Sequence, residues 1–137
     1  MEKRIESKRS CRFAVVKKVL VYGILFCFTF LFITYLMACW SIRSSVKEIS
    51  AEATQQYQGD RVEALIAYIN SEDHNLKEKN HVVWALGQLG DERALPVLEK
   101  SYTGQPCNHD KSLCQRELRR AIKLCKGGLN LTAWLPR

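Results

Sequence analysis

Three residues near the carboxyl end of the chain have side chains and spacings that could do chemistry. Cys107, His109 and Cys114 follow one another within eight residues, in and just after a loop at residues 103–111. Thiolate and imidazole are zinc ligands, whereas two thiols can also join as a disulfide. The spacing Cys-x-His-x4-Cys lacks the paired short spacings of structural zinc sites and supplies no fourth ligand. We therefore expect no metal and no cofactor, and favour a Cys107–Cys114 disulfide, with free thiols as the alternative.

A further cysteine, Cys125, is excluded from pairing with Cys114 by distance. The two are eleven residues apart on one predicted helix, which separates them by about 16 Å along the helix axis. A disulfide tolerates only about 7 Å between Cα atoms. A bond from Cys107 to Cys114 would instead staple the loop to the start of that helix and stabilise the fold by about 2–4 kcal/mol.

Cys39 raises the question of lipidation. Leu36-Met37-Ala38-Cys39 resembles the lipobox of bacterial lipoproteins, in which the peptide is cut before a cysteine that then carries lipid. Met37 is uncommon at its position, and Tyr35 is bulkier than usual. A long charged leader and a long apolar run favour an uncleaved anchor. A lipoprotein modified at Cys39 is the first alternative, and simple secretion after cleavage is the second.

Two histidines could be drawn as a general base. His74 and His81 flank a predicted helix start, with Asp73 beside the first of them. No Ser, Cys or Lys lies at a spacing that requires such a pairing, and the sequence has no glycine-rich phosphate loop. We interpret both histidines as polar residues of a turn and of a solvated helix face. The sequence predicts no catalytic residue and favours a protein that is not an enzyme.

The first predicted element of the chain, counted from the amino terminus, is a membrane-spanning helix. Residues 19–39 contain no charged side chain, and about 20 apolar residues suffice to cross a bilayer as a helix. Residues 1–18 carry seven basic and two acidic residues, whereas residues 41–137 carry 14 basic and 12 acidic ones. Such a basic flank predicts a cytoplasmic amino terminus and an external domain, as in a single-pass protein of the bacterial inner membrane. Nucleic acid is not an expected partner of the folded part.

The rest of the chain has helical periodicity and no strand pattern. A juxtamembrane helix is predicted over residues 40–59, ending at Gly59-Asp60. Asp60, Asn75 and Asp91 each precede an apolar stripe with helical spacing, as N-cap residues do. A final helix is predicted over residues 112–126 with Cys114 on its stripe. The fold class is therefore all-α, with a folded domain at residues 60–128 and a tail at 129–137.

The predicted helices after residue 60 form two consecutive pairs, and the second pair resembles the first in sequence. Ala64-Leu65 aligns with Ala94-Leu95 at an offset of 30 residues, and the following helices align at an offset of 36, which implies an insertion in the second loop. The stretch WALGQLGDERALPVL resembles the short HEAT-like repeats of phycobilisome lyases, and LCQRELRRAIKLC resembles the second helix of another copy. The resemblance covers about residues 60–127. It implies a short α-solenoid of about two helix-turn-helix repeats and transfers no catalytic residue.

A binding surface is predicted on two helices. The last helix is basic opposite its apolar stripe, and Trp84 is a candidate contact if it is not fully packed. A basic face attracts an acidic protein partner or anionic lipid. The predicted function is a membrane-anchored adaptor or accessory subunit, with homo-oligomerisation possible and a bilin-lyase-like chromophore or ligand carrier as the alternative. The candidate surface residues are Trp84, Arg116, Arg119, Arg120 and Lys123.

Overall fold

The computed structural model describes the backbone of residues 2–108 and 111–130 and the side chains of residues 17–108 and 111–130. Within these ranges the chain is helical and has no strand, which confirms the all-α prediction. The chain divides into two compact units, Met1–Ala38 and Cys39–Arg137. His109 and tail residues 131–137 lie outside the described residues, so the predictions made for them are not examined by the structure.

The first helix, α1, runs from Glu2 to Gln56. Its stretch Lys17–Gln56 contains a window of mean hydropathy 2.3, long and apolar enough to cross a membrane. A signal sequence near the amino terminus has the same length and apolar composition. The predicted membrane segment and juxtamembrane helix belong to this one helix, which ends three residues before Gly59. Gly59 has φ +116°, a conformation that favours glycine and ends the helical path.

The next two helices begin where the sequence predicts. Helix α2 spans Arg61–Asn70 and helix α3 spans Leu76–Leu89. Asp60 and Asn75 each cap a helix and form a capping box, in which the residue three positions later bonds back to the cap. Gly90 ends α3 in the left-handed conformation with φ 63°, which costs glycine little.

The helix predicted to start at Asp91 is divided in two. A 3-10 turn spans Glu92–Ala94, and Asp91 accepts the backbone N–H of Arg93 at 2.9 Å. Helix α4 then spans Leu95–Ser101. Pro96 lies in its first turn. Backbone N–H groups in the first turn have no acceptor within the helix, so the N–H that proline lacks costs no helical hydrogen bond.

The last helix, α5, spans Gln115–Cys125 and starts three residues later than predicted. Cys114 is its N-cap residue, with φ −63° and ψ 110°. Its backbone N–H donates to Asn80 Oδ1 at 2.8 Å. The prediction that Cys114 lies on the helical stripe is therefore wrong. The backbone of Cys114 is extended, and its N–H is bound by the Asn80 side chain of α3, so the helix begins only after it.

The core lies where α3 packs against both α2 and α5, and where α4 packs against α5. Gly87 lets α3 and α5 approach closely, since a Cβ placed there would lie 2.8 Å from Ala121 Cα. Two pairs of positions that the repeat aligns in α3 and α5 are buried alike, Val82 with Leu118 and Ala85 with Ala121. The fully buried leucines are Leu65, Leu86, Leu98 and Leu118.

Candidate functional site: a thiol pair at a helix start and a groove beside Trp84

The structure brings Cys107 and Cys114 together. Their Sγ atoms are 3.1 Å apart and share a hydrogen bond. A disulfide has sulfurs about 2.05 Å apart, and both residues are free thiols here. The proximity that the sequence predicted is present, but the disulfide itself has no support in the structure. Cys107 is exposed and Cys114 is buried with 3% of its surface accessible, so one sulfur faces solvent and the other does not.

Cys107 also occupies the place of a helix cap. Cys114 makes no side-chain cap bond to α5, and the N–H of Arg116, in the first turn, donates to Cys107 Sγ at 3.3 Å. A helix amino terminus stabilises negative charge through such unpaired N–H groups. The hydrogen bond from Cys114 and that from the Arg116 backbone lower the pKa of the Cys107 thiol below its usual value. The arrangement therefore favours the thiolate, which is the nucleophilic form of cysteine.

Gln115 fixes both ends of the loop that carries this pair. Its side chain is buried, and its Oε1 accepts the backbone N–H groups of Thr103 at 2.8 Å and of Gly104 at 3.3 Å. Its Nε2 donates to the carbonyls of Ser101 and Leu113. No pattern in the sequence indicates this role, because a glutamine in the first turn of a helix is ordinarily a solvated residue.

Cys125 and Cys39 lie in different surroundings. Cys125 is buried in the core, where its Sγ contacts the Leu86 carbonyl at 3.7 Å, and burial raises its pKa to about 11. Cys39 is buried within α1, at the first position of the second compact unit. Lipidation at Cys39 stays a prediction. Among the described residues no cluster of three or more His, Cys, Asp or Glu side chains could hold a metal ion.

Trp84 is half-buried and lines a groove of about 420 Å³ between the carboxyl-terminal part of α1 and α3. Two exposed carboxylates, Glu48 and Glu52, line it one helical turn apart, and His81 lines it from α3. The two glutamates are not among the predicted surface residues. Their i, i+4 spacing on a predicted helix was the available signal, since it places both on one face. The remaining lining residues are Ser45 and Ile49.

The predicted basic residues of α5 form a separate surface. Arg116, Arg119, Arg120 and Lys123 are exposed, and none of them lines the groove at Trp84. Arg116 lies 3.8 Å from the Glu117 carboxylate, and Arg119 Nε donates to the Tyr102 hydroxyl at 3.3 Å. The structure therefore divides the predicted binding surface in two: an acidic groove at Trp84 and a basic face on α5.

The two histidines have different roles. His74 stacks on Tyr68, with ring centroids 3.5 Å apart and planes 8° apart, and its Nε2 shares a 3.0 Å hydrogen bond with the Tyr57 hydroxyl. His74 is therefore a turn residue, as predicted, and its ring packs on a neighbouring aromatic side chain. His81 is exposed in the groove, as the prediction of a solvated helix face requires.

Residues 60–126 thus form an all-α unit of short helices joined by turns and one longer loop. A family model described as the PBS lyase HEAT-like repeat matches residues 81–103, which contain most of α3, the Gly90-Asp91 corner and α4. No curated protein and no solved structure matches the chain. The HEAT-like resemblance of WALGQLGDERALPVL is therefore confirmed, since this stretch lies within residues 81–103.

Proposed function

We propose that this protein is a membrane-anchored HEAT-like module that binds another protein as an adaptor or accessory subunit. The groove at Trp84 is the observation that carries the proposal, because it combines a half-buried aromatic ring with two exposed carboxylates. Trp is enriched at protein-binding sites, and a repeat fold offers a surface for contact. The proposal assigns no catalytic step to the chain.

The chemistry of the groove favours a basic segment as its occupant. A Lys or Arg side chain placed there would be attracted by the carboxylates of Glu48 and Glu52 and by the face of the Trp84 ring. Cation–π attraction contributes about 0.5–1 kcal/mol at exposed sites and more where water is displaced. We infer that the partner presents an extended or helical segment with at least one such basic residue.

The anchor and the repeat arrangement belong to the same proposal. The apolar stretch of α1 would hold the protein in the membrane with its basic amino-terminal flank in the cytoplasm, which leaves the helical domain outside. Two stacked repeats are supported by the contact between α3 and α5, which the sequence aligns as equivalent helices. Protease protection of residues 60–128 in sealed membrane vesicles would test the orientation.

Binding to the groove is tested with the full-length protein in detergent micelles. Replacing Trp40 and Trp134 by Phe leaves Trp84 as the reporter, and its fluorescence is titrated with a synthetic Lys/Arg-rich peptide. We expect saturable binding that weakens by about tenfold or more, or about 1.4 kcal/mol, in the double variant E48Q/E52Q. The control E72Q/E92Q makes the same change of charge at exposed positions outside the groove.

Equal weakening in both double variants would show general charge attraction and would contradict a groove site. Binding that is unchanged in E48Q/E52Q would contradict it as well. The partner itself is sought by crosslinking from membranes, with E48Q/E52Q as the comparison.

The basic face of α5 supports a second contact with an acidic protein segment. Reversal of Arg119 and Arg120 to Glu should remove proteins recovered through this face while leaving peptide binding at Trp84 unchanged. Recovery of the same proteins by this variant would exclude the basic face. An absorption spectrum of the purified protein separates both contacts from the chromophore-carrying alternative.

A further inference from the structure

We propose that Cys107 and Cys114 form a dithiol site that exchanges with small-molecule disulfides, in which Cys107 attacks and Cys114 resolves. This activity is independent of the proposed binding groove and uses none of its residues. It rests on three features: a reachable sulfur, a neighbouring second sulfur, and a loop that is held closed.

The two sulfurs are placed for different steps. An attacking thiol must be reached by the substrate, and Cys107 is exposed. A resolving thiol must reach the first sulfur but need not meet the substrate, and Cys114 is buried with its Sγ 3.1 Å away. Closing that distance to a bond requires a shift of about 1 Å, which a loop residue can make.

The start of α5 activates the attacking sulfur. The N–H of Arg116 donates to Cys107 Sγ, and the adjacent guanidinium adds positive charge. Both stabilise a thiolate more than a neutral thiol. The hydrogen bond from Cys114, followed by that from the Arg116 N–H, lowers the pKa of the Cys107 thiol, whereas burial raises that of Cys125. Cys125 is therefore the internal control for an unreactive thiol.

The loop is held in the geometry that exchange requires. Gln115 bonds the backbone at both ends of the loop, and Asn80 accepts the Cys114 N–H from α3. These bonds fix the position of Cys114. Cys107 lies between the two bonded ends of the loop, four residues after Thr103 and seven residues before Cys114. The pair thus remains close in the reduced protein without a covalent bond.

The reaction balances with a disulfide of the glutathione type as co-reactant. The Cys107 thiolate attacks one sulfur of R–S–S–R, forms Cys107–S–S–R and releases RS⁻. Cys114 then loses its proton to solvent and attacks Cys107 Sγ, which releases the second RS⁻ and leaves a Cys107–Cys114 disulfide. Two electrons pass from the protein thiols to the substrate, and the two protons they lose are taken up by the two RS⁻ groups.

The exchange is tested on the full-length protein in detergent micelles with oxidised glutathione, followed by intact and peptide mass spectrometry without reduction. The wild type should acquire the Cys107–Cys114 disulfide. Cys114→Ser should accumulate glutathione on Cys107, and Cys107→Ser should acquire neither product. Cys125→Ser is the matched control and should behave as the wild type. Should Cys114→Ser perturb the fold by circular dichroism, Cys114→Ala replaces it.

A rate measurement separates activation from mere exposure. Alkylation by iodoacetamide near pH 7 should be at least about tenfold faster at Cys107 than at Cys125. Arg116→Pro removes the N–H donor to Cys107 and should slow its alkylation. The first turn of a helix tolerates proline, as Pro96 in the first turn of α4 shows. Arg116→Gln keeps the N–H and should slow alkylation less. Glutathione on Cys125 in preference to Cys107, or no internal disulfide in the wild type, would overturn the proposal.

Discussion

The folded domain has two pairs of consecutive helices, α2 with α3 and α4 with α5, which each pack together but differ in their connections. Helices α2 and α3 are joined by residues 71–75, whereas α4 and α5 are joined by residues 102–114. In the short connection His74 is stacked on an aromatic ring. In the long one Gln115 closes the loop around two thiols. The shared helices form the scaffold, and the unequal connections are where chemistry differs.

This difference has a physical reason. A buried helix position is constrained by many neighbours at near-crystalline density, so it accepts only apolar side chains that fit the space available. A connection must only satisfy its backbone polar groups and close the chain, which costs little more as it lengthens. The longer connection can therefore carry a reactive pair without disturbing the contact between α3 and α5.

The largest expected effect comes from the shared core. Leu65 in the first pair and Leu118 in the second are both fully buried. Leu65→Ala and Leu118→Ala should each lower the free energy of unfolding by about 2–5 kcal/mol, through lost burial and the cavity left behind. Urea unfolding followed by circular dichroism measures this change.

Both variants should show one transition with a similar slope, because the two pairs share a core. Two separate transitions, with only one shifted in each variant, would mean that the pairs unfold independently. Leu129→Ala is the control, since Leu129 is 93% exposed.

The contact between the two pairs gives the next effect. In Gly87→Ala the new Cβ would lie 2.8 Å from Ala121 Cα and 2.9 Å from Ala121 Cβ. Such overpacking costs about 1–3 kcal/mol, which exceeds the gain of about 1 kcal/mol from the higher helix propensity of Ala. We expect a lower melting temperature, measured by circular dichroism.

A double variant with Ala121→Gly isolates the contact. It removes one of the two overlaps, so the cost of Gly87→Ala should be smaller in that background. An equal cost in both backgrounds would contradict the close approach of α3 and α5.

The long connection is tested by Gln115→Ala. The change removes the acceptor for Thr103 and Gly104 and should cost about 1 kcal/mol, since water can replace part of the lost bonding. Amide exchange at Thr103 and Gly104 should accelerate while α2 stays protected. Gln105→Ala, an exposed substitution in the same loop, is the control. Unchanged exchange in Gln115→Ala would show that Gln115 does not close the loop.

The sequence predicts the parts of this fold that depend on local chemistry. Asp60, Asn75 and Gly90 mark helix ends correctly, because capping and left-handed backbone are decided by the residue and its immediate neighbours. The start of α5 was misplaced, since it depends on Asn80, which lies 34 residues away from Cys114 in the chain.

The same limit applies to the candidate sites. The proximity of Cys107 and Cys114 followed from their spacing in one loop. The roles of Gln115 and of Glu48 and Glu52 depend on which elements meet in three dimensions, and periodicity does not specify that.

The smallest expected effect on stability comes from Asp60 and Asp91, the cap residues at the starts of the two helix pairs. Arg93 contacts Asp60 at 2.7 Å and Asp91 at 3.0 Å, thereby linking the caps of the two pairs. The backbone N–H of Glu63, followed by Arg93, lowers the pKa of Asp60 from 3.8. Its carboxylate therefore stabilises the fold above pH 3.8, and this contribution is lost as the pH falls through the lower folded-state value.

Asp60→Asn keeps an oxygen for the cap but removes the charge. The melting temperature of the wild type should exceed that of Asp60→Asn slightly at about pH 6, and the difference should shrink as the pH falls below 3.8 and the folded-state carboxyl takes up its proton. Carboxylates that do not contact Arg93 titrate alike in the two proteins, so their contribution cancels in the difference. A difference in melting temperature that stays constant with pH would show that Asp60 acts only as a neutral cap. The ion pair with Arg93 would then contribute nothing to the link between the two helix pairs.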